Sequence, residues 1–393
     1  VGSNGHVAWG FTNSYGDWTD LILIDKDPAD PDAYLTPDGS RKFGHHKEAI
    51  RVKGQPDETL DVITTVWGPL LTNDHKGRAR ALRWTAHHEE AVDFDIMRLE
   101  TAADVQEALT LAAQVGAPPQ NFVVADAQGH IGWTIMGAIP RREGADTRLP
   151  TTSSTLSHRW NGWLAPQEYP RVVDPDEGLI WSANARVVDG EMLDKVGDGG
   201  FDLGARAGQI RDDLRELPKA TERDMLNVQL DDRGLFMARW RDLLLSTLTP
   251  QAVAADKRRA EMRKYVEDWA GRASVDSVGY RMVRGFRSFL SQQVLDAVTI
   301  TCRQADPNFS YRRISQSEGP LWALVTARPV HLLDPKFSTW DEQLLAGVDA
   351  ALDFFTKDGS ALGERTWGQR NTTRIQHPLS LAVPALGAEQ ETG

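Results

Sequence analysis

Two carboxylates and the carbonyl between them are the first residues in this chain with the types and spacing to do chemistry. In Gly16-Asp17-Trp18-Thr19-Asp20 the Asp17 and Asp20 side chains flank Thr19, whose backbone carbonyl adds a third oxygen. Such a set can converge on one hard cation such as calcium, which takes only oxygen ligands. Asn184, in Ala183-Asn184-Ala185, stands at the exit of an apolar run. Its side-chain amide can donate a hydrogen bond to the oxyanion that forms when an amide carbonyl is attacked, or it can simply close a turn. Ser3, between Gly2 and Asn4, carries a hydroxyl that becomes a nucleophile only where a general base activates it. Other candidates fail on spacing. His45-His46 and His87-His88-Glu89-Glu90 set histidines side by side, where they point to opposite faces of a strand and miss the i, i+4 spacing of a helical zinc site, so they read as solvated surface. No acidic pair has a separation that supports glycosidase chemistry. Cys302 is the only cysteine, which excludes an internal disulfide and a cysteine-clustered zinc site.

The elements that must position these residues follow from periodicity. Val7, Trp9 and Phe11 alternate with Ala8, Gly10 and Thr12, the pattern of a strand that ends in the break Asn13-Ser14-Tyr15-Gly16 just before the acidic loop. Residues 21–24 read as a short buried strand, 48–52 and 59–66 as a hairpin around Gly54-Gln55-Pro56-Asp57, and 81–84 as another strand. Thr101-Ala102-Ala103-Asp104 reads as a capping box, followed by Val105, Ala108, Leu109 and Ala112 on one helical face. Residues 121–133 form two strands around a turn at Gly129, and 178–187 read as a buried strand that delivers Asn184. From about Ala205 the pattern becomes helical, with predicted helices over 205–217, 235–248, 253–269, 277–298 and 341–357 and a second capping box at Thr221-Glu222-Arg223-Asp224.

The chain has 393 residues, 40% of them hydrophobic, enough to bury a sizeable core. Lys and Arg total 44 against 56 Asp and Glu, and the net charge of -12 argues against nucleic acid or an anionic membrane as the main partner. No apolar run is long enough to span a membrane, and the first residues have neither the basic start nor the apolar core of a signal peptide. The thirteen tryptophans permit a carbohydrate-binding groove, but most fall at alternating or helical core positions. With no linker, repeat or low-complexity tract, one interwoven domain over 1–393 is expected, strand-rich over 1–188, mainly helical over 205–360, with a return segment at 361–393.

Trp9-Gly10-Phe11-Thr12-Asn13 with Gly16-Asp17-x-x-Asp20 resembles the β-subunit of the penicillin acylase (penicillin amidase) family of N-terminal nucleophile hydrolases. The likeness continues in order through Asn121 to Trp133, Pro140-Arg141-Arg142, Asn184, Trp367-Gly368 and His377-Pro378-Leu379. It implies an α+β fold of four αββα layers with additional helical layers, and amide hydrolysis through an acyl-enzyme on an N-terminal serine. By its register Ser3 takes the place of a structural histidine, so the nucleophile is expected upstream and the sequence is expected to be an internal piece of a β-subunit. The resemblance further implies that the Asn13 backbone N–H and the Asn184 amide hold the oxyanion, and that Arg206 orients the asparagine, although Arg206 also reads as a surface residue of its helix. Asp17, Thr19, Asp20, Thr147 and Asp194 are implied as ligands of a structural calcium. An α-subunit cut from the same precursor, an acyl amide substrate (phenylacetyl, glutaryl or an acyl-homoserine lactone) and a periplasmic or secreted location are implied as well. The family usually has Ala-Asn-Asn where this chain has Ala183-Asn184-Ala185. The alternative from another class is a non-catalytic or inactive binding module that uses its tryptophans.

Overall fold

The computed structural model describes residues 1–144, 148–156 and 158–373, which gather into two compact units divided after Pro218. Strands occupy the first unit in chain order: β1 Gly2–Ser3, β2 Val7–Asn13, β3 Thr19–Leu23, β4 Ala33–Thr36, β5 Gly39–Lys42, β6 Gly44–Ile50, β7 Glu58–Thr65, β8 Gly68–Leu71, β9 Arg80–Trp84, β10 Gln120–Asp126, β11 Ile131–Met136, β12 Pro140–Gly144, β13 Thr151–Thr152, β14 His158–Trp163 and β15 Arg171–Val173. Its helices are α1 Val105–Ala112, α2 Gly190–Val196 and α3 Ala205–Arg215.

One antiparallel sheet carries the candidate site. Its order is β1-β2-β10-β11-β15, and β10 sits between β2 and β11 with Thr12 opposite Asn121 and Asn121 opposite Ile135. Alternation sorts the side chains by face. Trp9, Phe11, Phe122, Val124 and Met136 pack with Val105, Ala108, Leu109 and Ala112 of α1. Trp133 and Ile135 point the other way, into a cluster with Ile139, Tyr169, Val188, Val196 and Phe201. Gly132 makes the α1 approach possible, because a Cβ there would lie 2.8 Å from Val105 Cγ1 and 2.9 Å from Leu109 Cδ1.

A second sheet, in the order β13-β3-β9-β8-β7-β6, supports the acidic loop through β3, whose Asp20 lies opposite Arg83 on β9. The hairpin β6–β7 is exposed along most of its length, and the predicted turn at Gly54 closes it, with Gly54 at φ +79°.

The second unit is helical: α4 Glu222–Gln229, α5 Leu235–Thr247, α6 Pro250–Ala255, α7 Lys257–Glu267, α8 Val278–Val298, α9 Ile300–Ala305, α10 Glu318–Ala327, α11 Trp340–Thr356 and α12 Trp367–Asn371. Its core brings Trp240 and Leu244 of α5, Met262 and Val266 of α7, Phe286 and Leu290 of α8, and Val348 and Leu352 of α11 together. Thr221 and Asp224 form the reciprocal capping box of α4 that the sequence suggests, and Thr339, not foreseen, accepts from Glu342 N at the start of α11.

Four expectations change. The cap of α1 is Asp104, which accepts from Glu107 N, while the Glu107 carboxylate accepts from Ala103 N; Thr101 lies outside the box. The helix expected over 253–269 is two helices, because Asp256 is extended and caps α7 by accepting from Arg258 N. Residues 178–187 form no strand, since Asn184 at φ +67° breaks the pleat. His88 is half-buried, stacked on Trp160 with centroids 5.8 Å apart and edge-on to Trp163 at 5.1 Å, while His87, Glu89 and Glu90 are exposed.

Candidate active site

Asn13 is the last residue of β2 and is exposed. The turn after it is fixed by Ser14, whose buried hydroxyl donates to Pro119 O at 2.7 Å and accepts from Trp18 Nε1 at 3.0 Å. Tyr15 follows at φ +45°. The Asn13 carbonyl accepts two side-chain amides, Asn121 Nδ2 at 3.0 Å and Asn184 Nδ2 at 3.2 Å. Two acceptors' worth of lone pairs is all a carbonyl oxygen has, so this oxygen is fully committed.

Asn184 reaches Asn13 from an irregular segment that α3 holds in place. Ala183 and Ala185 pack on Ala207, and Arg215 at the far end of α3 pairs with Glu177. Arg206, in the first turn of α3, donates from Nη2 to Asn184 Oδ1 at 2.8 Å and to Asp202 Oδ2 at 2.7 Å. Asp202 N in turn donates to Asn184 O at 3.1 Å. The left-handed backbone at Asn184 suits asparagine, which tolerates that region better than other residues with a side chain. With Oδ1 taken by a cation and one Nδ2 hydrogen on Asn13 O, the second Nδ2 hydrogen remains as a donor. The predicted trio Asn13, Asn184 and Arg206 is therefore brought together.

Sequence reasoning missed the polar chain behind it. Thr12 Oγ1 accepts from Asn121 Nδ2 at 3.1 Å and shares a 2.6 Å hydrogen bond with Ser182 Oγ. Asn121 Oδ1 accepts from Trp133 Nε1 at 3.1 Å. Little in the sequence signals it, since Asn121 follows another polar residue, Gln120, at the start of its strand.

Along one side of β2, β1 pairs only at Trp9 and Ala8, and among the described residues no strand flanks Gly10–Asn13 there. Ser3, on β1, is exposed and accepts from Gly5 N at 3.3 Å.

The acidic loop lies beyond the turn. Asp17 and Asp20 come together around Arg142, which pairs with Asp17 Oδ1 at 3.1 Å and with Asp20 Oδ1, and donates to Asp17 O at 2.8 Å. Arg83 adds a second guanidinium, and Arg83 and Arg142 lie over the Trp160 ring at 4.5 and 5.3 Å. Burial pushes the Asp17 carboxyl up to about 6; Arg142 pulls it down, Asp20 and Asp198 push it up, and a hydrogen bond from the Thr19 backbone lowers it. Burial together with Arg142 holds Arg83 below the usual guanidinium range, although Asp20 works the other way. The donors here are oxygens, the type calcium takes, and in this structure both carboxylates are paired with Arg142. Asp194 is exposed on α2, whose last residue Val196 accepts from Asp17 N at 2.9 Å, and Thr147 lies outside the described residues. Among the described residues, no three His, Cys, Asp or Glu side chains form a ready metal cage. Asp198 also acts on the Asp17 carboxyl, pushing it up. His377-Pro378-Leu379 also lies outside the described residues.

Of the thirteen tryptophans, Trp84 alone is exposed. No described helix is long and apolar enough to cross a membrane.

Comparison with known proteins identifies the family. Residues 1–392 match the family described as Penicillin amidase. A penicillin acylase 2 proenzyme from Pseudomonas sp. is 26% identical over 98% of this chain and 49% of its own length. An acyl-homoserine lactone acylase, QuiP of Pseudomonas aeruginosa, is 25% identical over 100% of this chain and 50% of its own. The chain thus spans about half the length of these relatives. Among solved structures, the thermostable penicillin G acylase of Alcaligenes faecalis superposes with a TM-score of 0.66 at 20% identity, covering 91% of this chain and 68% of that one, and shows the same N-terminal nucleophile hydrolase fold. The α+β class expected from the sequence is the class observed, and this chain belongs to the penicillin amidase family of amide hydrolases.

Proposed function

We propose that this chain forms the oxyanion-binding part of an acylase that cleaves acyl amides through an acyl-enzyme on an N-terminal serine carried elsewhere in the complete protein. The carrying observation is the Asn184 amide, turned by Arg206 so that its nitrogen faces the end of β2 at Asn13. In this reading the serine Oγ attacks the substrate carbonyl carbon while the serine's own α-amino group takes the hydroxyl proton. The carbonyl electrons move onto oxygen, where the Asn13 N–H and the second Asn184 Nδ2 hydrogen donate to the oxyanion. Collapse breaks the C–N bond, the α-ammonium returns the proton to the leaving amine, and water then releases the acid.

Asp17, Asp20 and the Thr19 carbonyl would hold calcium, whose contribution is to cross-link the loop after the turn; no chemical step passes through it. An α-subunit from the same precursor and a periplasmic or secreted setting belong to this proposal. A fatty acyl-homoserine lactone is the second substrate reading, favoured by the likeness to QuiP along the whole chain. The binding-module alternative loses ground because twelve of thirteen tryptophans are at least partly buried.

The test is to express the complete precursor, confirm processing by N-terminal sequencing, and assay phenylacetyl, glutaryl and fatty acyl-homoserine lactone amides. Turnover of one class is expected, with Asn184→Ala reducing kcat by about 100-fold to 1000-fold. Ligand binding without turnover in the processed protein would favour the binding module.

A further inference from the structure

We infer that Asn121 is a positioning residue for the oxyanion donors, setting the Asn13 carbonyl against which the Asn184 amide is aligned. The inference deepens the acylase reading and rests on it for its kinetic consequence.

Asn121 is 2% exposed on the central strand β10, on the face away from α1. Its amide orientation is forced. Trp133 Nε1 can only donate, and it lies 3.1 Å from Asn121 Oδ1. Nδ2 must therefore face β2, where it donates to Thr12 Oγ1 at 3.1 Å and to Asn13 O at 3.0 Å. Trp133 is itself 1% exposed, so the anchor is rigid. One end of this chain is locked in the core and the other ends on the carbonyl that Asn184 Nδ2 also meets.

The Asn13 carbonyl belongs to the peptide that begins the turn at Ser14. Holding it from the core side leaves one lone pair, aimed at Asn184. Without Asn121, that oxygen can rotate or accept water, and the Asn184 amide loses the fixed partner that sets its remaining N–H. A group that holds a donor can matter on the scale of the donor itself, because misplacement of about 1 Å is costly in a preorganised site. Ser182 adds a second tie, since its bond to Thr12 Oγ1 links the same strand end to the segment carrying Asn184.

The test uses the complete processed protein with Asn121→Ala and the near-isosteric Asn121→Asp, which keeps volume but puts a second acceptor against the Asn13 carbonyl. Expected is a fall in kcat on the order of 10-fold to 100-fold with little change in KM. A transition-state mimic such as an alkyl boronic acid should lose affinity in parallel. The double variant with Asn184→Ala should be scarcely slower than Asn184→Ala alone, because the two residues act through one arrangement. Unchanged kcat, or fully additive losses, overturns the inference and leaves Asn121 a structural residue. The crystal structure of Asn121→Asp reads the geometry whether or not the wild type turns over. Displacement of the Asn184 amide from Asn13 O is expected, and an undisturbed contact overturns the proposal. Absence of wild-type turnover alone would count against the acylase reading, not against this positioning.

Discussion

Arg206 Nη2 lies 2.8 Å from Asn184 Oδ1 and decides which way the asparagine amide points. A guanidinium has no acceptor, so the amide oxygen must face it and the nitrogen must face Asn13. Asp202, 2.7 Å from the same Nη2, anchors the arginine from α3's preceding loop.

Replacing Arg206 by alanine in the complete processed protein should therefore lower kcat by roughly tenfold or more, with KM little altered. Arg206→Lys should recover only part, since a point charge does not reproduce two directed hydrogen bonds. Arg206 is exposed, so thermal stability should move by less than about 0.5 kcal/mol. Wild-type kcat in both variants would reduce Arg206 to the surface residue that its helix also allows.

Chelation provides a separate check on the acidic loop. If Asp17, Asp20 and Thr19 hold calcium, a chelator should lower the melting temperature by several degrees and added calcium should restore it. Asp20→Asn should abolish that dependence, because Asp20 is 6% exposed and committed to the loop. Superimposable melting curves with and without chelator would mean that Arg142 and Arg83 alone hold the carboxylates.

How far the sequence carried the reading differs from residue to residue. Helix α11 was legible because its apolar stripe registers burial directly, whereas strand β2 and the largely exposed hairpin β6–β7 were legible from alternation and the turn or break residues beside them. Asn184 was legible as a residue but not as a backbone: an apolar run reads as a strand whatever its φ, and only the +67° dihedral shows that the segment turns there. Asn121 drew notice as part of a signature, yet its role needed the register that sets Thr12 opposite it and the partner Trp133 across the next strand. Arg142 could not be linked to Asp17 and Asp20 from sequence, since more than a hundred residues separate them. Local pattern fixes local shape, whereas a hydrogen-bond network between distant segments is set by packing.

His45 should make stability depend on pH in a defined direction. It bridges two carboxylates, with Nε2 2.9 Å from Asp32 Oδ1 and Nδ1 3.3 Å from Asp61 Oδ2, and these bonds raise its affinity for a proton above that of an ordinary histidine. A folded-state value above the unfolded one stabilises fully below the unfolded value of about 6.5 and is lost as pH rises through the folded value. The gap in melting temperature between wild type and His45→Gln should therefore be widest near pH 5.5 and close by about pH 9. All three groups are well exposed, so the gap should also shrink at high salt. A gap independent of pH would show that the imidazole acts there by packing alone.

Glu318 is the residue of the helical unit whose loss should cost most for the fewest atoms changed. Its carboxylate is 4% exposed at the start of α10, where the helix dipole favours a negative charge. Arg239 of α5 and Trp240 Nε1 donate to Oε1, and Arg287 of α8 donates to Oε2 from Nε at 3.1 Å and Nη2 at 2.6 Å. Three helices thus meet on one side chain. The guanidiniums also lie against rings, Arg239 4.5 Å from the Trp322 centroid and Arg287 5.4 Å from that of Phe236. Glu318→Gln keeps the shape but leaves two cations without a counterion. Removing one partner of a fully buried pair costs about 3–5 kcal/mol; with each arginine about one-third exposed, solvent offsets part of that, and a loss of about 2–3 kcal/mol is expected. Denaturant midpoints of the complete protein measure it. Adding Arg239→Met to Glu318→Gln should recover part of the loss by removing one stranded charge, and if the double variant is instead less stable than Glu318→Gln by the full cost of a second lesion, the three side chains do not act as one ionic cluster.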